Sequence, residues 1–396
     1  MSKLSADELL DGFDRVEARH EFESRIKEGK PLVVKLGLDP TTPDLHIGHA
    51  VVLHKLQQFV ENGDNVTLII GDTTASIGDP SGRNSMRPPL TQEQINANMI
   101  TYRDQAGKVL DMQRVTLRYN SEWLAALRLS DILKLMSEVT VAQLLARNDF
   151  SERYANNTPI SLHEFLYPVA QSYDSVAVKS DIELGGNDQL FNFLMARQFQ
   201  AHAGLREQVC MTVPLLEGLD GIKKMSKSTG NYVGLTESPQ SMFGKLMSIP
   251  DELIPRYARL AAFFSEADFL RLADALGNGS AHPMDEKKKL AIRIVTRYHD
   301  ATAAKAAADF FERTVQRKEV PTENLAELTV ERGRKVADVL VAAGFAESKR
   351  AAERLISGNG VKVDGILVDD PRAAWPAGQP AVLSVGSRKF IRVLPT

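Results

Sequence analysis

Residues 32–38 read Leu-Val-Val-Lys-Leu-Gly-Leu, a short and mostly apolar run bounded by Pro31 and the turn Asp39-Pro40-Thr41-Thr42. Such a run, too short for a helix and rich in branched residues, predicts a buried strand. Val52, Leu53, Leu56, Phe59 and Val60 then recur at helical spacing up to Asn62-Gly63, which stops the helix. Residues 66–72 form a second buried run, Val-Thr-Leu-Ile-Ile-Gly-Asp. Strand, helix and strand within about forty residues make a βαβ unit and therefore a parallel sheet. Residues 1–30 read as an amphipathic helix, a packing arm. Residues 90–160 are charged and helix-rich, an insertion between two halves of the sheet. Residues 181–184 and 209–213 are candidate strands of the second half. From 238 to 326 the pattern is helical throughout, with turns at 277–280 and near Pro321. Two short helical patterns then end at Gly344 and Gly358, followed by short strands to Val393.

The 396 residues are more than one hydrophobic core usually serves, so two or three domains are expected. A composition of 43% hydrophobic and 25% charged residues excludes disordered and low-complexity architectures. The 48 basic against 51 acidic residues exclude a globally basic nucleic-acid coat protein. The charge is uneven, however. Residues 330–396 carry eleven basic and seven acidic side chains, a basic αα-β appendage on an acidic body. That fits a nucleic-acid contact, and it fits a solvated surface equally well. One cysteine, Cys210, allows no internal disulfide and no paired-cysteine zinc site. Asp11, Asp14, Glu17, Glu21 and Glu23 rule out the apolar stretch of a secretion signal. The longest apolar runs are far short of a membrane span. A cytoplasmic location is expected, with no membrane contact.

Neither of the two commonest glycine-rich phosphate loops is present, so a phosphate site has to be built another way. His46-Ile47-Gly48-His49 stands where the turn after the first strand enters a helix. A helix N-terminus offers unpaired N–H groups and positive dipole charge. Two imidazoles three residues apart on the first turn can donate to phosphate oxygens, and Gly48 lets a flat group approach the backbone. Taken alone, the tetrapeptide also fits two surface histidines. The second signal, Lys224-Met225-Ser226-Lys227-Ser228, lies between Asp220-Gly221 and Thr229-Gly230-Asn231. Lysines among small residues make a loop able to close over polyanionic phosphates; alone, it also fits a solvated basic loop.

In this order and about 175 residues apart, the two segments resemble the signature of class I aminoacyl-tRNA synthetases. Over nearly the whole chain the resemblance is to bacterial tyrosyl-tRNA synthetases. It is carried by residues 72–83 (Asp-Thr-Thr-Ala-Ser-Ile-Gly-Asp-Pro-Ser-Gly-Arg), by Leu166-Tyr167-Pro168-Val169-Ala170-Gln171-Ser172-Tyr173-Asp174, and by Gly185-Gly186-Asn187-Asp188-Gln189. The terminal αα-β segment resembles the S-four-like RNA-binding domain of these enzymes. Tyr167, Gln171 and Asp174, spaced i, i+4 and i+7, share one helix face. Without the resemblance they read as the polar face of a surface helix.

The resemblance implies an α/β fold: a Rossmann-like doubly wound parallel sheet (1–234, with the insertion at about 90–160), a helical anticodon-binding domain (235–328) and a small α+β S-four-like domain (329–396). It implies a tyrosine–tRNA ligase that makes tyrosyl-adenylate from L-tyrosine and ATP, then esterifies the 3′ end of tRNA(Tyr). Another aromatic amino-acid ligase of the class, and a non-catalytic RNA-binding relative, remain the alternatives. By family position His46, His49, Lys224, Lys227, Arg83 and Arg87 would act on the phosphates. Gly37, Asp39, Gly48, Gly186, Asp188, Met225 and Ser226 would border ATP and the adenylate. Asp79, Tyr167, Gln171, Asp174 and Gln189 would bind tyrosine, with Asp174 accepting the phenol so that phenylalanine is rejected. Mg²⁺ would arrive with ATP, with no dedicated protein site, and the protein would be a homodimer. One position departs from the pattern. Where many members carry a tyrosine two places before the glycine of the first strand loop, this chain has Lys35, which leaves the second partner of the phenol open.

Overall fold

The computed structural model describes residues 3–81, 90–317, 325–331, 333–376, 379–386 and 389–396. They form two compact units, 1–237 with 249–286, and 238–248 with 287–396.

The first unit is built on a six-stranded sheet: β1 (Arg15–Glu17), β2 (Val33–Leu38), β3 (Asn65–Ile70), β4 (Val115–Tyr119), β5 (Ile182–Gly186) and β6 (Val209–Val213). Their order is β1-β6-β5-β2-β3-β4. All neighbours are parallel except β1, which runs antiparallel to β6 at the edge. The chain winds from β2 outward through β3 to β4, then returns to β5 on the other flank. The order reverses between β2 and β5, and in such sheets ligands bind beyond the carboxyl ends of the strands at that point. The β2–β3 crossover is the helix Ile47–Asn62, whose Leu53, Leu56 and Phe59 are fully buried. Gly63 ends it in the left-handed region (φ 89°), where glycine has no steric penalty.

Two expectations change. The arm is not one helix. It is Ala6–Leu10, then β1, then Arg19–Glu28, broken at Gly12 (φ 82°) and Ala18 (φ 64°). The insertion is not purely helical, because residues 115–119 form the outer strand β4. Its Val-Thr-Leu-Arg-Tyr sequence carries a charge and a polar residue that only a half-covered edge strand tolerates.

The second unit holds the helices Pro239–Leu246 and Ala301–Phe311, most of Pro283–Tyr298, and a five-stranded sheet. The sheet order is β7-β11-β10-β8-β9, with β7 Glu327–Val330, β8 Val361–Val363, β9 Ile366–Leu367, β10 Ala381–Val385 and β11 Lys389–Pro395. The short helices Val336–Ala342 and Lys349–Ser357 cover it, and Val339, Leu340, Ile356, Val361, Leu383 and Val393 make its own core. The expected helical domain of 235–328 is divided: 249–286 packs with the first unit. There Tyr257 donates to the Glu217 carbonyl at 2.8 Å and Arg256 to the Leu215 carbonyl at 2.9 Å. Among the described residues no helix is long and apolar enough to cross a membrane.

Candidate active site

His46 caps the Ile47–Asn62 helix, with its ring 3.9 Å from that of His49. The His46 N–H donates to His49 Nδ1 at 3.2 Å. With Nδ1 accepting, the His49 proton sits on Nε2, available to an incoming acceptor. Burial, then the charge of Lys224, pushes His49 down to about 4; burial, then His49 and Lys224, lowers His46 well below its usual range. Both are therefore neutral donors at pH 7. A Cβ on Gly48 would meet His46 Nδ1 at 2.9 Å and the Met225 Cβ at 3.6 Å, so glycine here keeps the histidine pair and the lysine loop together.

The lysine loop is sewn to the same helix entry. Ile47 N–H donates to the Val233 carbonyl at 3.0 Å, and Leu235 N–H to the Leu45 carbonyl at 3.0 Å. Lys224 pairs with Asp188 at 2.8 Å, and Lys227 with Asp44. Met225 is buried, and Ser226 Oγ lies 2.9 Å from Ser228 Oγ. Asn231 organises the loop: its Oδ1 accepts from Ser226 N–H at 2.9 Å and Thr229 Oγ1 at 2.6 Å, and its Nδ2 donates to Asp220 at 2.9 Å. Gly218 leaves the room, since a Cβ there would come within 2.2 Å of that amide.

Gly37 is exposed at the carboxyl end of β2, and Asp39 follows it. Asp39 accepts from Thr74 Oγ1 at 2.7 Å and, at Oδ2, from the Tyr167 hydroxyl at 3.0 Å. Gly186 ends β5, where a Cβ would press on Asp188 at 2.8 Å. The helix Leu166–Val178 buries Tyr167 and Asp174. Asp174 accepts from Trp123 Nε1 at 2.8 Å and Asn120 Nδ2 at 3.4 Å. Burial pushes its carboxyl up to about 7, against the opposing pull of Lys35, Trp123 and Asn120. Gln171 Oε1 accepts from Asn192 at 2.7 Å. Asp79 accepts from Ser81 N–H at 2.8 Å and Gln189 Nε2 at 2.9 Å, beside Arg147 at 3.4 Å. Burial would raise the Asp79 carboxyl, but Arg147, Ser81 and Gln189 outweigh it and hold it low.

The structure thus brings together sixteen of the eighteen expected residues, at the carboxyl ends of β2, β3 and β5. The other two, Arg83 and Arg87, lie outside the described residues. Lys35 is paired with Glu183 at 2.9 Å, both buried, directly across the β2–β5 ladder. Sequence reasoning missed Asp44, Thr74, Asn120, Trp123, Arg147, Asn192 and the hub role of Asn231. Only Asn231 carried a signal, its place at the end of the lysine loop.

A family model described as "tRNA synthetases class I (W and Y)" matches residues 27–316, and an S4 domain model matches 334–373. The tyrosine–tRNA ligase of Thermotoga maritima is 46% identical over 95% of this chain and 94% of its own length. That of Bordetella pertussis is 47% identical over 96% and 94%. The chain belongs to the tyrosine–tRNA ligases of class I. Its fold agrees: tyrosyl-tRNA synthetases from Archaeoglobus fulgidus and Aeropyrum pernix superpose with TM-scores of 0.64 and 0.62, at 22% and 21% identity, over 77% and 78% of this chain and 98% and 100% of theirs. As a tyrosine–tRNA ligase it joins tyrosine to tRNA, with ATP as the activating substrate.

Proposed function

We propose that the residues divide this reaction as follows. The tyrosine carboxylate, already a nucleophile, attacks the α-phosphorus of ATP and pyrophosphate leaves. The step needs no general base, so catalysis is positioning and charge stabilisation. His46 and His49 donate N–H groups to the phosphates as charge moves onto the leaving group. Lys224 and Lys227 exchange their carboxylate partners for pyrophosphate oxygens, with Arg83 and Arg87 assisting. Gly37, Asp39, Gly48 and Gly186 border the adenylate, Asp188 takes the ribose hydroxyls, and Met225 and Ser226 shape the loop. Asp79, Tyr167, Gln171 and Gln189 hold the amino-acid end, and Asp174 accepts the phenol. A terminal ribose hydroxyl of tRNA(Tyr) then attacks the acyl carbon and AMP leaves. Mg²⁺ enters as the partner of the ATP phosphates, part of the substrate. The observation that carries this reading is the convergence of the histidine pair, the lysine loop and Asp188 at the carboxyl ends of the strands, where the buried Asp174 carboxylate also lies.

The basic 329–396 segment holds tRNA through backbone contacts, which makes charging salt-sensitive, and the helical residues of 235–328 face the anticodon side. The protein works in the cytoplasm as a homodimer. Leu129, Leu133 and Met136, 71%, 58% and 43% exposed on one face of the helix Leu129–Ser137, with Val141 at 63%, support a second copy as the cover. A single-turnover experiment with tyrosine, ATP and Mg²⁺ tests the order of steps. Adenylate forms without tRNA and is discharged on adding tRNA; a strict requirement for tRNA in the first step would overturn it. Leu133→Glu yields monomers in sedimentation if that face joins two copies.

A further inference from the structure

We propose that Arg147 is the positioning residue of the amino-acid end of the site: its buried guanidinium orients Asp79 directly, and Gln171 and Gln189 through Asn192, so that Asp79 and Gln171 receive the α-ammonium of tyrosine. This rests on the tyrosine-binding roles proposed above for those three residues.

Every face of the guanidinium is engaged. Nε meets Asp149 at 2.8 Å, Nη1 donates to Asn192 Oδ1 at 2.9 Å, and Nη2 faces Asp79 Oδ1 at 3.4 Å and also donates to Ser81 Oγ. The rings of Phe150 and Phe191 flank it, at 5.7 and 5.8 Å. The consequence is a set of amide orientations. Because Asn192 Oδ1 takes the Arg147 proton, its Nδ2 must donate, and it does so to Gln171 Oε1 at 2.7 Å and Gln189 Oε1 at 3.0 Å. With its oxygen committed, Gln189 turns Nε2 to Asp79 Oδ2 at 2.9 Å. The ring closes where Asp79 meets Arg147. Flipping any one amide would set donor against donor. Gln171 Oε1 keeps a second lone pair for the substrate.

The charges agree. Asp79 and Asp149 with Arg147 leave one net negative charge in a buried place, which one substrate ammonium neutralises. Arg147 lies beneath the cage, 5% exposed, and acts through the groups above it. A lysine could supply the charge but not the planar fork that serves four acceptors at fixed angles.

The test compares Arg147→Lys, Arg147→Met and Arg147→Met with Asp149→Asn in tyrosine-dependent ATP–pyrophosphate exchange over pH 5–9. Arg147→Met raises the KM for tyrosine about 100-fold and the double variant does the same, while the KM for ATP stays within about twofold. Arg147→Lys gives about a tenfold rise. The acid limb of kcat/KM for tyrosine moves to higher pH in Arg147→Met, because Asp79 loses the cation that helps keep it ionised, and stays in place in Arg147→Lys. If Arg147→Met fails to fold, the lysine and double variants carry the comparison. A tyrosine KM within twofold of wild type, or equal rises for tyrosine and ATP with an unmoved pH profile, would overturn the inference. Absence of tyrosine-dependent exchange in the wild-type protein would instead overturn the reading on which it rests.

Discussion

Lys224 pairs with Asp188 at 2.8 Å, joining the lysine loop to the loop beyond β5. The lysine side chain is 43% exposed, and such partly solvated pairs contribute little, so a phosphate can replace the carboxylate without a large penalty. Lys227 with Asp44 is the matching pair at the histidine end. From this, His49→Ala and Lys227→Ala each lower the rate of adenylate formation by about 10²–10³-fold while tyrosine binding changes little, the range for losing one preorganised donor. Rapid quench and equilibrium dialysis measure the two quantities. Unchanged rates in both variants would remove the phosphate roles.

Asn231 should behave as a loop organiser. Asn231→Ala frees Ser226, Thr229 and Asp220 together, and is expected to slow adenylate formation about tenfold with the tyrosine KM unchanged. A pre-steady-state rate equal to wild type would show that the loop keeps its shape without the hub.

Asp174 gives a pH prediction with a definite sign. Its carboxyl is raised to about 7 in the folded protein, above the ordinary unfolded value near 4. The folded state binds this proton more tightly, so the group costs stability as pH rises between about 4 and 7. Asp174→Asn is therefore more stable than wild type at pH 8, by up to a few kcal/mol, seen as a higher melting temperature, and loses that advantage at pH 4. The same variant loses its preference for tyrosine over phenylalanine. An equal melting difference at both pH values would contradict the raised carboxyl.

Much of this was readable in advance, for a physical reason. The βαβ unit, the histidine turn and the lysine loop are local, since the residues that define each lie within one element or one turn. Tyr167, Gln171 and Asp174 announce a common face by spacing alone. Arg147, Asn192, Asn120 and Trp123 reach Asp79, Gln171 and Asp174 across at least twenty residues of chain, and their local sequence does not mark them. Lys35 is the sharpest case. Its register partner Glu183 is visible only once β2 lies beside β5. The edge strands β1 and β4 were hidden for a related reason, being short and half-covered with little alternation to read.

The Lys35–Glu183 pair is buried, with Ser175 Oγ donating to Glu183 at 3.1 Å. Removing one partner strands a buried charge, so Lys35→Met destabilises by about 3–5 kcal/mol, whereas Lys35→Met with Glu183→Leu recovers most of it. Urea melts of the single and double variants test the coupling, and additive losses would deny it.

The C-terminal sheet has its own core, so removing residues from Glu327 onward spares adenylate formation and weakens tRNA charging by at least about tenfold. Equal loss of both activities would contradict a separable tail.

In the proposed mechanism two distant polar segments act on one triphosphate beside a buried carboxylate that selects a phenol. The decisive measurement is pyrophosphate exchange with each of the twenty amino acids separately. Exchange is expected with tyrosine, and with phenylalanine and tryptophan lower by several orders of magnitude, because a site built to bond a hydroxyl loses that bond to a substrate without one, a rule for which tyrosyl-tRNA synthetases are themselves the standing example. Comparable exchange with phenylalanine or tryptophan, or none with tyrosine, would contradict it.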